Sequence, residues 1–151
     1  MDNDDNEDLI RVHTSARLRV ESPIPPPPGF KSPFKTLREW LVQLCNELPP
    51  QKPVSEYQFQ LCYSSTESLI AFYGEHYSIE EGVPTERITF QPAHVFFPLP
   101  KNIYRKLSYS QLKETLYKEL KEFTKTSEFK NSFLSKSYSI NSNFAGEIWS
   151  E

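Results

Sequence analysis

Between residues 57 and 97, strand-like stretches follow one another with only turns between them, leaving no room for the helical crossover of a parallel βαβ unit. Tyr57, Phe59, Leu61 and Tyr63 alternate with Gln58, Gln60 and Cys62, the period of a half-buried strand. Ser64-Ser65-Thr66 makes a turn, and residues 68–74 are apolar enough for a central strand. An acidic loop is expected around Ile79-Glu80-Glu81-Gly82. Arg87 to Gln91 and Ala93 to Phe97 then read as one strand, interrupted or bulged at Pro92 and stopped by Pro98-Leu99-Pro100.

Helical patterns flank this block. Ser32 followed by Pro33 offers an N-cap with proline at the first helical position, and Leu37, Trp40, Leu41, Leu44 and Leu48 share one face before Pro49-Pro50. Ser108 or Ser110 can cap a second helix, with Leu112, Leu116, Leu120 and Phe123 along its buried stripe. A short helix over Ser127–Leu134 and one or two short strands through Tyr138, Ile140, Phe144, Ile148 and Trp149 complete the chain. Upstream, Leu9 to Val20 alternates as a half-buried strand or a short hairpin around Ser15, and Pro23 to Pro28 form an extended connection closed by Gly29. The pattern predicts an α+β fold, a mainly antiparallel sheet of about five to six strands with two main helices packed on it.

A chain of 151 residues suits one domain, expected over residues 9–151. Aromatic residues make up 14%, so Phe and Tyr must supply much of the core. Cys45 and Cys62 lack ligand-spaced partners and read as reduced, half-buried thiols. No apolar run approaches the roughly 20 residues of a membrane span, and the opening Met1-Asp2-Asn3-Asp4-Asp5 has the wrong charge for a signal peptide. A cytoplasmic protein is the expectation.

Catalytic equipment is sparse. Gly29, Gly74, Gly82 and Gly146 are the only glycines and assemble no phosphate-binding loop. His13, His76 and His94 stand apart in sequence, without an HExxH or HxH pattern. Glu80-Glu81 is an adjacent loop pair of the kind that faces solvent. His94 reads as an ordinary strand residue, and Glu75-His76 as a strand end where binding loops gather. No catalytic residue, cofactor or metal site is expected, and the chain reads as a binding protein rather than an enzyme. A pocket bringing His76 or His94 beside a carboxylate would revive an enzyme with dispersed residues.

The net charge of −3 hides a segregation. Asp2, Asp4, Asp5, Glu7 and Asp8 fall in residues 1–8, expected as a disordered tail, and the rest of the chain is net +2. Residues 53–86 hold six Glu and no Lys or Arg, whereas residues 101–136 are net +5. On the basic helix Glu114 precedes Lys118 and Glu122 follows Lys121, the mixture of a solvated face, and direct nucleic-acid binding is not expected. The acidic block carries tyrosines, and Tyr73, Glu75, Tyr77, Glu80, Glu81 and Glu86 form the candidate partner-binding set: a negative surface with aromatic anchors for a basic protein.

Several stretches carry a family resemblance: the acidic run Tyr73-Gly74-Glu75-His76-Tyr77-Ser78-Ile79-Glu80-Glu81-Gly82, the strand end Phe96-Phe97-Pro98-Leu99-Pro100 and the aromatic C-terminus Gly146-Glu147-Ile148-Trp149. With a single small domain and no catalytic motif, the chain resembles the immunity proteins of bacterial polymorphic and contact-dependent growth-inhibition toxins. The resemblance covers most of residues 30–151 as an overall look and transfers no binding residue by position. It implies a protein that binds a cognate toxin, often a basic nuclease, and occludes its active site or substrate surface. The +2 body departs from the commonly acidic immunity protein. An adaptor or chaperone-like module that presents Pro23–Pro28 to a partner groove is the alternative.

Overall fold

The computed structural model describes residues 22–64 and 66–151, so the N-terminal tail and the expected strand over Leu9–Val20 lie outside the described residues. Helix α1 spans Leu37–Cys45 and starts later than its Ser-Pro signal suggests. Thr36 accepts from the Glu39 N–H at 3.1 Å while the Glu39 carboxylate accepts from the Thr36 N–H at 3.3 Å, a capping box that fixes the first turn. The Ser32 hydroxyl is used locally instead, accepting from the Phe34 N–H at 3.1 Å. The helix also ends early, at the Asn46 C-cap, so Leu48 falls outside it and is 85% exposed, not part of the buried face.

The remaining elements are β1 (Glu56–Cys62), β2 (Leu69–Glu80), β3 (Val83–Phe90), β4 (Phe96–Pro98), α2 (Lys101–Tyr104), α3 (Tyr109–Phe123), α4 (Ser127–Lys130), a 3₁₀ turn at Phe133–Lys136, β5 (Ser139–Ser142) and β6 (Gly146–Ser150). Of the two possible caps for α3, Ser108 is used, with Gln111 completing a capping box. The expected Ser127–Leu134 helix resolves into α4 and the 3₁₀ turn.

The strands form one mixed six-stranded sheet in the order β3-β2-β1-β5-β6, with β4 pairing the first residues of β2. Every pairing is antiparallel except β1 with β5. The expected single strand around Pro92 is therefore two strands on the same edge of β2, and residues 91–95 lie in neither. His94 sits in that break, where its carbonyl accepts from Trp40 Nε1 at 2.8 Å and its ring meets Phe34 edge-on.

One face of the sheet makes the core. Tyr57, Phe59 and Leu61 of β1, Ile70 and Phe72 of β2, Phe97, Ile140 and Ile148 are buried with the apolar stripes of α1 and α3. Leu41 of α1 and Leu120 and Phe123 of α3 enclose one small void with Phe59, Ile140 and Ile148, so both helices cover the same face. Gly74 belongs to this packing. A Cβ there would stand 3.1 Å from Tyr57 Cε1 and 3.1 Å from Val54 Cγ1. The Tyr57 ring is held by stacking on Phe72 and by the edges of Phe90 and Phe133, so it has nowhere to move. Gly74→Ala is expected to cost about 1–3 kcal/mol by overpacking, read as a lower urea midpoint. Unchanged stability would show that the tyrosine ring yields.

Candidate functional site

Glu75 is the last residue of β2 paired with β1; beyond it, among the described residues, β2 is paired by β3 alone. Strand β2 thus continues through the stretch expected as an acidic loop, and residues 76–86 form a hairpin arm. Its turn has two residues, Glu81 at φ 52° and Gly82 at φ 80°, the positive-φ pair of a tight turn whose twist matches the strands. The arm is braced by a forked pair from Arg87 to Glu80, at 2.9 and 2.8 Å, and by Ser78 Oγ against Thr85 Oγ1 at 3.0 Å. On the opposite side of its pleat Tyr77 and Ile79 are 40% and 74% exposed, with Pro84 and Glu81 also exposed.

The six candidate partner-binding residues divide. Tyr77 and Glu81 are presented at the surface, and Glu80 and Glu86 are half-buried on the arm. Tyr73 and Glu75 are buried, so neither offers a contact surface as the sequence pattern suggests. Tyr73 donates from its hydroxyl to Gln60 Oε1 at 3.1 Å, and burial, reinforced by Glu75 and Glu86, pushes its hydroxyl up to about 12. At the base of the arm lies an acidic seam. Burial first, then the charge and hydrogen bond of Glu86 and the charge of Glu56, push the Glu75 carboxyl up to about 8, against a lowering hydrogen bond from Gln58. Glu56 is also raised, chiefly by burial, while it accepts from Tyr77 Oη and Asn141 Nδ2. Burial and Glu86 thus disfavour the charged form of Glu75, and the Arg87 fork offsets Glu80, so the block presents less negative charge than its six Glu residues suggest.

Ile79 and Pro84, which share the exposed face of the arm, are absent from the sequence-derived set. The missing signal was the length of β2: once the strand reaches Glu80, its period places Ile79 beside Tyr77. Among the described residues, His76 and His94 stand apart and neither meets a carboxylate by a hydrogen bond. Ser55 Oγ lies 3.1 Å from His76 Nδ1 and also accepts from the Tyr77 N–H at 3.0 Å, and no carboxylate hydrogen-bonds His76 among the described residues. His94 serves the core through its carbonyl. Both cysteines are free, Cys45 buried and Cys62 half-buried. No group of three or more His, Cys, Asp or Glu residues among the described residues has the geometry to hold a metal ion, and no described helix is long and apolar enough to cross a membrane.

The Pro-rich segment runs beside the sheet, with Pro23 buried. Ser22, Pro23 and Ile24 share a groove with Ile88 and Gln91, and the Gly29 N–H points to Glu67 Oε2 at 3.4 Å. Ile88 is opposite Glu75, and Glu67 precedes β2, so the segment runs along the first half of that strand. A polyproline rise of about 3.1 Å per residue nearly matches the roughly 3.3 Å of a strand, which suits such a strut. No family model, no curated protein and no solved structure significantly matches the chain.

Proposed function

We propose that this chain is a non-catalytic immunity protein that binds a basic toxin domain and neutralises it by occlusion, with the hairpin arm as the inserted element. The observation that carries the reading is the pairing of exposed Ile79 and Tyr77 on one face of the arm with Glu81 at its turn. An apolar residue 74% exposed beside a half-exposed tyrosine is the anchor chemistry of a protein interface, and the neighbouring carboxylate suits a basic partner. The arm is braced by its own ion pair and hydroxyl contact, so little ordering cost is added on binding. The Pro-rich adaptor alternative has Pro25, Pro27 and Pro28 exposed in its favour, but Pro23 is buried and the Gly29 N–H after the segment is directed at Glu67.

The test is affinity capture followed by an activity assay on the captured toxin. Wild-type protein is expected to retain one basic, nuclease-like domain and to abolish its nuclease activity. Tyr77→Ala with Ile79→Ala is expected to weaken that complex by about 100-fold or more, since buried anchors are each worth about 2 kcal/mol, and Ile79→Ala alone, at a position 74% exposed, should weaken it at an unchanged melting temperature. If no basic partner is retained, the reading fails; if the double variant neutralises as well as wild type, the arm is not the contact.

A further inference from the structure

At the end of β2 remote from the arm, a groove of about 700 Å³ opens between the β1–β2 turn and the corner that follows β4. That volume is within the range of small-ligand sites. One wall carries Tyr63, Ser64, Thr66 and Ser68; the other carries Lys101, Arg105 and Lys106. The buried Leu99, Tyr104 and Leu112 line it from the core, and the Leu99 N–H donates to the Ser68 carbonyl at 2.9 Å, fastening one wall to the other. The groove is therefore part of the framework rather than a gap between independent loops.

Its lining carries three cations against one carboxylate. On α3, Lys118 lies 3.8 Å from Glu114, and Lys125 lies 2.9 Å from Glu122. Lys101, Arg105 and Lys106 have no ion pair among the described residues, although they stand within six residues of one another. Glu67 is the one carboxylate on the lining, and its Oε2 faces the Gly29 N–H. At the rim Tyr63 packs on Tyr109 with ring centroids 4.6 Å apart, and Lys113 Nζ lies 4.6 Å above the Tyr109 ring. Three cations and a single carboxylate on one concave surface leave a net positive lining, which favours an anion there.

We propose that this groove binds a small phosphate-bearing ligand, with Lys101, Arg105 and Lys106 meeting the phosphate opposite the hydroxyl-rich β1–β2 turn. A guanidinium presents a fork of donors that fits a tetrahedral oxyanion, and two ammonium groups supply point charges around it. Hydroxyls on the facing wall add neutral donors; Thr66 is exposed there, and its Oγ1 lies 3.1 Å from Ser64 Oγ. The site is independent of the arm, so its failure or success leaves the toxin-binding reading where it stands.

The test is a ¹H–¹⁵N NMR titration of the full chain with sodium pyrophosphate, and separately with adenosine 5′-diphosphate, at about 0.15 M salt so that weak surface pairing is screened. Saturable shifts confined to residues 63–68 and 99–107 are expected, with Arg105→Ala plus Lys106→Ala weakening binding at least about tenfold and Lys101→Ala giving a smaller loss. These side chains are exposed and unpaired, so melting temperatures should not change. Tighter binding of the nucleotide assigns the ligand to a nucleotide engaging the Tyr63 rim; equal affinity assigns the phosphate alone. Shifts spread evenly over Lys113, Lys118, Lys121 and Lys125, affinity indifferent to the variants, or a glutamate-rich peptide binding as tightly as pyrophosphate would each overturn the proposal.

Discussion

Trp40→Ala is expected to lower the unfolding free energy by about 3–5 kcal/mol, the usual cost of emptying a large aromatic site. The side chain is fully buried where α1 meets the sheet. It stacks on Phe97 at 5.7 Å and 17°, meets Phe59 edge-on at 6.1 Å, and donates to the His94 carbonyl at 2.8 Å. One residue thereby joins α1, β1, β4 and the break between β3 and β4. Truncation empties the ring site and strips the His94 carbonyl of its donor, adding about 1 kcal/mol. Against a total stability of about 5–15 kcal/mol, that loss leaves the domain near its threshold at 37 °C. Trp40→Phe keeps most of the ring but not the N–H, so it should lose markedly less. Urea unfolding of both variants checks this, and a loss below about 1 kcal/mol for Trp40→Ala would mean that α1 is not docked as described.

That anchor was legible in the sequence because Trp40 falls on an unambiguous apolar stripe. The same stripe misplaced Leu48, since periodicity says which residues share a face and not where the helix stops. The boundary is set by capping: Thr36 with Glu39 satisfies two terminal N–H groups at once, whereas Ser32 spends its hydroxyl on its own turn. The extension of β2 was hidden for a related reason. Residues 76–80 do alternate, Tyr77 and Ile79 against His76, Ser78 and Glu80, but their apolar members face solvent and the run ends in Glu80-Glu81-Gly82, so it reads as a polar loop. What extends the strand is a neighbouring strand, a salt bridge and a hydroxyl pair, which composition does not encode.

The candidate site shows what composition can and cannot convey. An acidic, tyrosine-bearing block centred on residues 73–86 is a sequence fact. That two of its members are buried, one of them a carboxyl whose hold on its proton is strengthened by burial and by a second carboxyl, depends on cross-strand register that composition does not encode. The register also separates the charges in space. The acidic arm stands at one end of the 12-residue strand β2 and the cationic groove at the other. At about 3.3 Å per residue the turn of the arm lies some 35–40 Å from the groove and its base about 20–25 Å, each more than twice the Debye length of physiological salt. Each end can therefore meet its own partner without the other charge interfering.

Glu75→Gln is expected to stabilise the domain, by an amount that grows with pH. Below the ordinary glutamate value of 4.5 the carboxyl is protonated in both states, and the substitution changes little. Between 4.5 and about 8 the unfolded chain ionises while the folded protein keeps its proton, so the wild type loses stability across that window. Each tenfold difference in proton affinity is worth about 1.4 kcal/mol. The full span would give roughly 5 kcal/mol, but Glu86 interacts with the same proton and side chains at the seam can relax. A gain of about 3 kcal/mol at pH 8 is therefore the expected size. Glutamine fits the site chemically, since its amide can accept from Gln58 and donate to Glu86, the two partners the neutral carboxyl has now. Glu75→Ala, by contrast, would empty a buried position and strand both partners, so it should destabilise at every pH. Chemical denaturation of wild type and Glu75→Gln at pH 5, 6.5 and 8 separates these cases. Curves that stay parallel across the range would mean that Glu75 is already ionised in the folded protein, and with it the acidic block would recover its full charge for steering a basic partner.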